Sequence, residues 1–144
     1  MRARLLARIR GFFSDRGVLE VDTPMLSQAA GTDPAIEPFE VRLRGDDAAP
    51  LYLHTSPEFF MKRLLAAGSG SIYQVCKVFR RAEQGKQHNP EFSMLEWYRV
   101  EHDHHQLMQE VDELVRELIA GSMQLEASQS FTYQQIFQQQ LKLD

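Results

Sequence analysis

The 144-residue chain, 43% hydrophobic and 25% charged, has the composition of one soluble domain and the length to bury a core. A formal charge of −4 argues against a broad nucleic-acid-binding surface and leaves room only for a local basic patch. Cys76 is the single cysteine, so no intrachain disulfide can form, and a small buried thiol in a reducing cytoplasm is expected. With no membrane-length apolar run and no signal-peptide apolar core, a cytoplasmic location without a membrane partner is expected.

Taken in chain order, Arg2 to Arg16 is predicted to be helical. Leu5, Leu6, Ile9, Phe12 and Phe13 recur at helical spacing, and Arg2, Arg4, Arg8 and Arg10 occupy other positions. Gly17 supplies the stop, and Val18 to Pro24 reads as a short strand that proline ends. On their own residues these two elements fit a core helix with an edge strand. Ala29 to Pro38, with Gly31, Pro34 and Pro38, reads as a loop; Phe39 to Leu43 and Leu51 to His54 read as strands joined by the turn at Gly45, Asp46 and Asp47. Ser56 is placed to cap the next helix, with Pro57 in its first position. Glu58 then falls in the first turn, where the helix dipole favours a carboxylate.

Two β-prone runs follow, Ser71 to Arg80 and Glu91 to Val100, around a loop with Gly85, Lys86, His88, Asn89 and Pro90. Alternation puts Phe92, Met94, Glu96 and Tyr98 on one strand face and Ser93, Leu95 and Trp97 on the other. One face thus carries an aromatic ring, a carboxylate and a phenol, and Arg80, Lys86 and His88 place cations at the hairpin mouth, where an anion would meet them. A surface hairpin with a solvated loop accounts for the same pattern. Asp103 to Ala120 reads as an amphipathic helix, its stripe Leu107, Met108, Val111, Leu114, Val115 and Leu118 facing core, with Gly121 beyond its end. His102, His104 and His105 lack a cysteine or spaced carboxylates to complete a site, so no metal ligands are expected. Phe131 to Leu141 reads as a short helix capped by Thr132 that buries Tyr133, Ile136, Phe137 and Leu141, with glutamines from Gln134 to Gln140 on an exposed face.

Phe79-Arg80 followed by His88-Asn-Pro-Glu-Phe-Ser-Met-Leu-Glu-Trp-Tyr98 resembles motif 2 of the class II aminoacyl-tRNA synthetases in the form used by the lysyl branch. The helix, strand and proline of about residues 5–24 are similar to motif 1, and motif 2 covers about residues 72–100. The resemblance is strongest to lysyl-tRNA synthetase paralogues that modify elongation factor P. It rests there on Thr55-Ser-Pro-Glu-Phe-Phe-Met-Lys-Arg-Leu-Leu65, on Leu95-Glu-Trp-Tyr-Arg99, and on a motif 1 helix starting near Met1 with no room for a preceding OB-fold.

The resemblance implies an α+β fold, an antiparallel sheet flanked by helices, with residues 1–144 forming the N-terminal part of a catalytic domain. It implies a homodimer through motif 1, and ATP as co-substrate with Mg²⁺ held by ligands outside this chain. The activity implied is formation of a (R)-β-lysyl adenylate, then transfer to a lysine of elongation factor P, with tRNA not expected as acceptor. By the same resemblance Arg80 is the catalytic residue on the α-phosphate; Arg81, Ala82, Glu83, His88 and Asn89 contact ATP, and Phe92 stacks on adenine. Ser56, Pro57, Glu58, Glu96 and Tyr98 meet a lysine or β-lysine substrate. The chain departs from the family pattern where Arg81 replaces an asparagine and Ala82 a glutamate, with Glu83 one position later. No Gly-x-Gly-x-Asp-Arg-like motif 3 is found among the eight glycines; Gly68-Ser-Gly70 lies upstream of motif 2. The 144 residues alone are therefore expected to be inactive. A lysyl-tRNA synthetase catalytic fragment and a catalytically silent binding module of the same fold remain as alternatives.

Overall fold

The computed structural model describes residues 1–43, 49–81, 85, 86 and 88–141. The elements in order are α1 (Arg2–Ser14), β1 (Leu19–Glu20), β2 (Leu26–Ser27), β3 (Glu40–Val41), β4 (Leu51–Leu53), α2 (Glu58–Ala66), β5 (Ile72–Phe79), β6 (Glu91–Tyr98), α3 (His104–Ile119) and α4 (Tyr133–Leu141). They fall into two compact units, Met1–His102 and Asp103–Asp144.

In the first unit α1 ends as the Gly17 stop requires. Gly17 adopts φ 64°, its amide returns to the Ser14 carbonyl at 3.0 Å, and the Val18 amide returns to the Phe13 carbonyl at 3.0 Å. This is the Schellman closure, in which a left-handed glycine satisfies the last helical carbonyls. Phe12 and Phe13 are fully buried. The Phe13 ring stacks on Tyr73 at 4.4 Å and 17°, tilts against Trp97 at 5.6 Å, and meets Phe12 edge-on at 5.3 Å. Since Tyr73 and Trp97 are cross-strand partners, α1 covers that face of the β5–β6 hairpin.

Two three-stranded sheets replace the single antiparallel sheet expected from the sequence. One has the order β1-β5-β6, the other β2-β4-β3. The first is mixed: β5 and β6 are antiparallel, whereas β1 runs parallel to β5 with Leu19 opposite Ile72 and Glu20 opposite Tyr73. A parallel pair needs a long crossover, and here the crossover carries the whole second sheet and α2. The strand expected over Val18 to Pro24 contracts to β1, although the Val21 amide still reaches the Tyr73 carbonyl at 2.9 Å. Beyond Pro24, which has no amide to offer a ladder, the chain turns into β2 beside β4, a strand the sequence reading missed. The pair β3–β4 is the expected one, shortened to Glu40–Val41 and Leu51–Leu53; the turn at Gly45, Asp46 and Asp47 lies outside the described residues.

His54 joins the sheets. Its amide donates to Met25 at 2.8 Å, its carbonyl accepts from the Phe79 amide at 3.1 Å, and its Nε2 lies 2.6 Å from the Lys77 carbonyl. In the second unit α3 begins with a capping box. Asp103 accepts from the Gln106 amide and the Gln106 side chain accepts from the Asp103 amide, both at 2.9 Å. Thr132 and Gln135 repeat the arrangement ahead of α4. The expected burial of these two helices is not met. Leu114 is buried, but Leu107, Met108, Val111 and Val115 are exposed, as are Tyr133, Ile136, Phe137 and Leu141 on α4.

Candidate active site

The β5–β6 register pairs Ile72 with Tyr98, Gln74 with Glu96, Cys76 with Met94, and Val78 with Phe92. Directly opposed residues share a sheet face, so these eight side chains form one surface on the side away from Phe13. The Tyr98 hydroxyl donates to Glu96 Oε1 at 2.8 Å, and both residues are half-buried. Burial pushes the Glu96 carboxyl above its ordinary value and Glu58 adds to this, while the Tyr98 hydrogen bond, His54 and Lys62 oppose it. Tyr98 is raised as well, first by burial and then by the adjacent carboxylate. A half-buried carboxylate whose ionised form burial and a second carboxylate disfavour is a place where an ammonium group is favoured.

Glu58 sits in the first turn of α2 and is paired with Lys62 one turn later. The helix starts one position later than the sequence suggested: Pro57 is the cap residue, and the Ser56 hydroxyl accepts from the Glu58 amide at 3.3 Å. The small hydroxyl still satisfies an unpaired first-turn donor, so the chemistry of capping is kept while its position moves by one. Pro57 is buried and Ser56 half-buried. Cys76 is half-buried rather than buried, with its thiol pushed up to about 11 by burial first and by Glu96 and Asp22 next.

At the other end of the face, Arg80 Nε donates to the Thr55 carbonyl at 3.3 Å, and the guanidinium carbon lies 5.2 Å from the Phe92 ring centroid. The two residues read from sequence as phosphate and adenine contacts therefore meet each other. Phe92 is four residues from Glu96, about 13 Å along a strand, which separates the cationic end of the face from the carboxylate end. Arg81 turns away: its amide and guanidinium bind the Glu37 carbonyl at 2.8 Å and carboxylate at 2.6 Å. Lys86, His88 and Asn89 are exposed at the hairpin tip, where Gly85 and His88 exchange backbone hydrogen bonds of 3.3 Å. Ala82 and Glu83 lie outside the described residues.

A separate cleft of about 460 Å³ opens on the opposite side of β5, lined by Arg10, Gly17, Glu20 and Tyr73. Its charges are already matched, Arg10 Nε lying 3.0 Å from Glu20 and Tyr73 donating to the same carboxylate at 3.0 Å, so it offers no excess charge to a ligand. Among the described residues no group of three or more His, Cys, Asp or Glu is placed to hold a metal ion, and no helix is long and apolar enough to cross a membrane. Sequence reasoning missed Thr23, Gln74 and His54, all three buried beside or behind the face. The available signal was Gln74 itself, a polar residue at an inward-facing position between Ile72 and Cys76.

The family model of class II tRNA synthetases (D, K and N) matches residues 1–142. The chain is 52% identical over 146 residues to the protein of Erwinia tasmaniensis named elongation factor P–(R)-β-lysine ligase, and 53% identical to the protein of that name in Edwardsiella ictaluri. The protein of the same name in Pectobacterium carotovorum is 52% identical. Each match covers 99% of this chain and 44% of the relative's length.

Proposed function

The chain belongs to the class II tRNA synthetases of the D, K and N type, and on that premise we propose that it serves an ATP-dependent ligase activating (R)-β-lysine for attachment to elongation factor P. The observation that carries this reading is the face shared by Arg80, Phe92, Glu96 and Tyr98. It has a cation over an aromatic ring at one end and a half-buried carboxylate–phenol pair at the other. A zwitterionic amino acid with a second amine has matching ends, and the name of the relatives supplies the substrate class.

In the proposed reaction a substrate carboxylate oxygen attacks the α-phosphorus of ATP. The bond to the bridging oxygen breaks, pyrophosphate leaves, and an acyl-adenylate remains. Arg80 gives up its resting place on Phe92 to neutralise the charge that develops on the α-phosphate, and the exposed ring becomes a stacking surface for adenine. His88 and Asn89 border the nucleotide, Arg81 joins them on leaving Glu37, and Ala82 and Glu83 take the nucleotide-contact roles that the resemblance implies. Ser56, Pro57 and Glu58 line the amino-acid side, where Glu96 and Tyr98 hold the amine. The ε-amine of a lysine on elongation factor P then attacks the acyl carbon, loses a proton, and releases AMP. Mg²⁺ belongs to this chemistry as a counter-ion for the phosphates; no described residue is assigned to it. A cytoplasmic homodimer through α1 and β1 completes the reading.

The test is incubation of the full-length protein with ATP and labelled lysine or (R)-β-lysine, with elongation factor P and tRNA supplied together. Label on elongation factor P is the expected result. Label on tRNA replaces the reading with that of a synthetase, and no adenylate with either amino acid leaves a binding module.

A further inference from the structure

Gln74, the third residue of β5, is the most fully enclosed polar side chain on the face, 1% exposed. Its Oε1 accepts from the Thr23 hydroxyl at 2.9 Å, and Thr23 is itself buried. In this arrangement the oxygen points back toward Thr23 and the two Nε2 hydrogens point elsewhere. Nε2 has no hydrogen-bond partner among the described residues. A buried amide donor without an acceptor is costly, so its retention calls for an acceptor that some other state supplies.

The residue directly across the ladder is Glu96. Opposed side chains on one face have Cβ atoms about 5 Å apart, within reach of each other's polar ends after a rotamer change. Glu96 Oε1 is engaged by the Tyr98 hydroxyl, and the other carboxylate oxygen has no hydrogen bond among the described residues. Three groups from two further places act on Glu96: Glu58 and Lys62 on α2, and His54 just after β4. Cys76, next along the face, stays a neutral thiol. None of these is an amide that can donate without changing charge.

We propose that Gln74 is a positioning residue for the amine site, its Nε2 donating to the ionised Glu96 carboxylate when a cationic amine is bound, with Thr23 holding the amide in the donating orientation. The inference rests on Glu96 being the amine-binding group. It assigns to the β1 side of the sheet a part in substrate recognition: Thr23 touches no substrate, yet it sets the direction in which Gln74 can donate. An acidic side chain at position 74 could not do this at neutral pH, because it would bring a third carboxylate to Glu58 and Glu96 and no donor.

The experiment measures lysine and (R)-β-lysine binding to the full-length protein by calorimetry across pH, with thermal melting in parallel. The wild type is compared with Gln74→Leu, Gln74→Met, Thr23→Val and Glu96→Gln. The Gln74 variants should weaken amine binding roughly tenfold, the loss expected for one hydrogen bond to a charged group. They should leave the melting temperature near that of wild type, because removing the unsatisfied Nε2 donor and depriving the buried Thr23 hydroxyl of its acceptor act in opposite directions. The acid limb of their binding profile should move to higher pH, because the ionised form of Glu96 has lost a donor. Thr23→Val should shift the profile in the same direction by less, which tests the relay even if a Gln74 variant misfolds. Unchanged amine affinity and pH profile in folded Gln74 variants, with Glu96→Gln still defective, would overturn the role of Gln74 alone. Undiminished amine binding by Glu96→Gln would remove the amine site itself, and this inference with it.

Discussion

Arg80→Ala tests the phosphate contact most directly, and two of the contacts its side chain makes in the resting fold are weak. It donates to the Thr55 carbonyl and rests on the Phe92 ring. A charged donor on a neutral acceptor contributes about 1.5 kcal/mol, and a partly exposed cation on a ring about 0.5–1 kcal/mol. The sum is small beside the roughly 5–15 kcal/mol that holds a domain together, so the variant should fold with a melting temperature only a few degrees lower. Loss of a single donor aimed at developing charge costs about 10²–10³ in rate, and a fixed cation on phosphate at least as much. ATP–pyrophosphate exchange by the full-length protein should therefore fall by at least about a hundredfold. Arg80→Lys should recover part of the loss, since it restores the charge without the planar fork. Exchange within about threefold of wild type, in an Arg80→Ala variant that melts normally, would refute the assignment, since a lost phosphate contact cannot cost so little.

Glu96→Gln should weaken amine binding far more than ATP binding, measured by calorimetry with each ligand; equal losses would make Glu96 a structural residue. The sign of its stability effect follows from the raised carboxyl value. Between the ordinary and raised values the folded chain binds more protons than the unfolded one, so ionisation of Glu96 opposes folding as pH rises through that window. At pH 7 Glu96→Gln should accordingly melt no lower than wild type, and a clear drop would contradict the sign. Phe13→Ala removes a buried ring that touches Phe12, Tyr73 and Trp97, and should cost about 3–5 kcal/mol in urea unfolding. A loss below about 1 kcal/mol would mean that α1 is not anchored through that ring.

Local rules carried the sequence reading a long way. Helical spacing gave α1 and α3, the Thr132 cap gave the start of α4, and strand alternation put Phe92, Glu96 and Tyr98 on one face. The errors arose where partners distant in sequence decide. Alternation cannot tell whether β1 meets β5 parallel or antiparallel, because both directions bury the same side. An amphipathic stripe shows that Ile136 and Phe137 can be covered, not that they are. For the candidate site, residue types were legible but contacts were not. That Arg80 lies on Phe92, and that Gln74 is held by Thr23, depends on side chains brought together across 12 and 51 positions.

The parallel pairing of β1 with β5 also sets an order of assembly. The innermost hairpin pair, Phe79 and Glu91, lies 12 residues apart, whereas Leu19 must find Ile72 across 53. Closing the longer loop costs roughly 1 kcal/mol more in chain entropy, before the second sheet and α2 are arranged within it. The hairpin can thus reach its register while the N-terminal segment is still searching, and β1 arrives as a late strand at a preformed edge. Until it does, Thr23 is absent from Gln74 and the amide is free to rotate. The long-range hydrogen bond that orients the most buried donor on this face then forms only with that docking step.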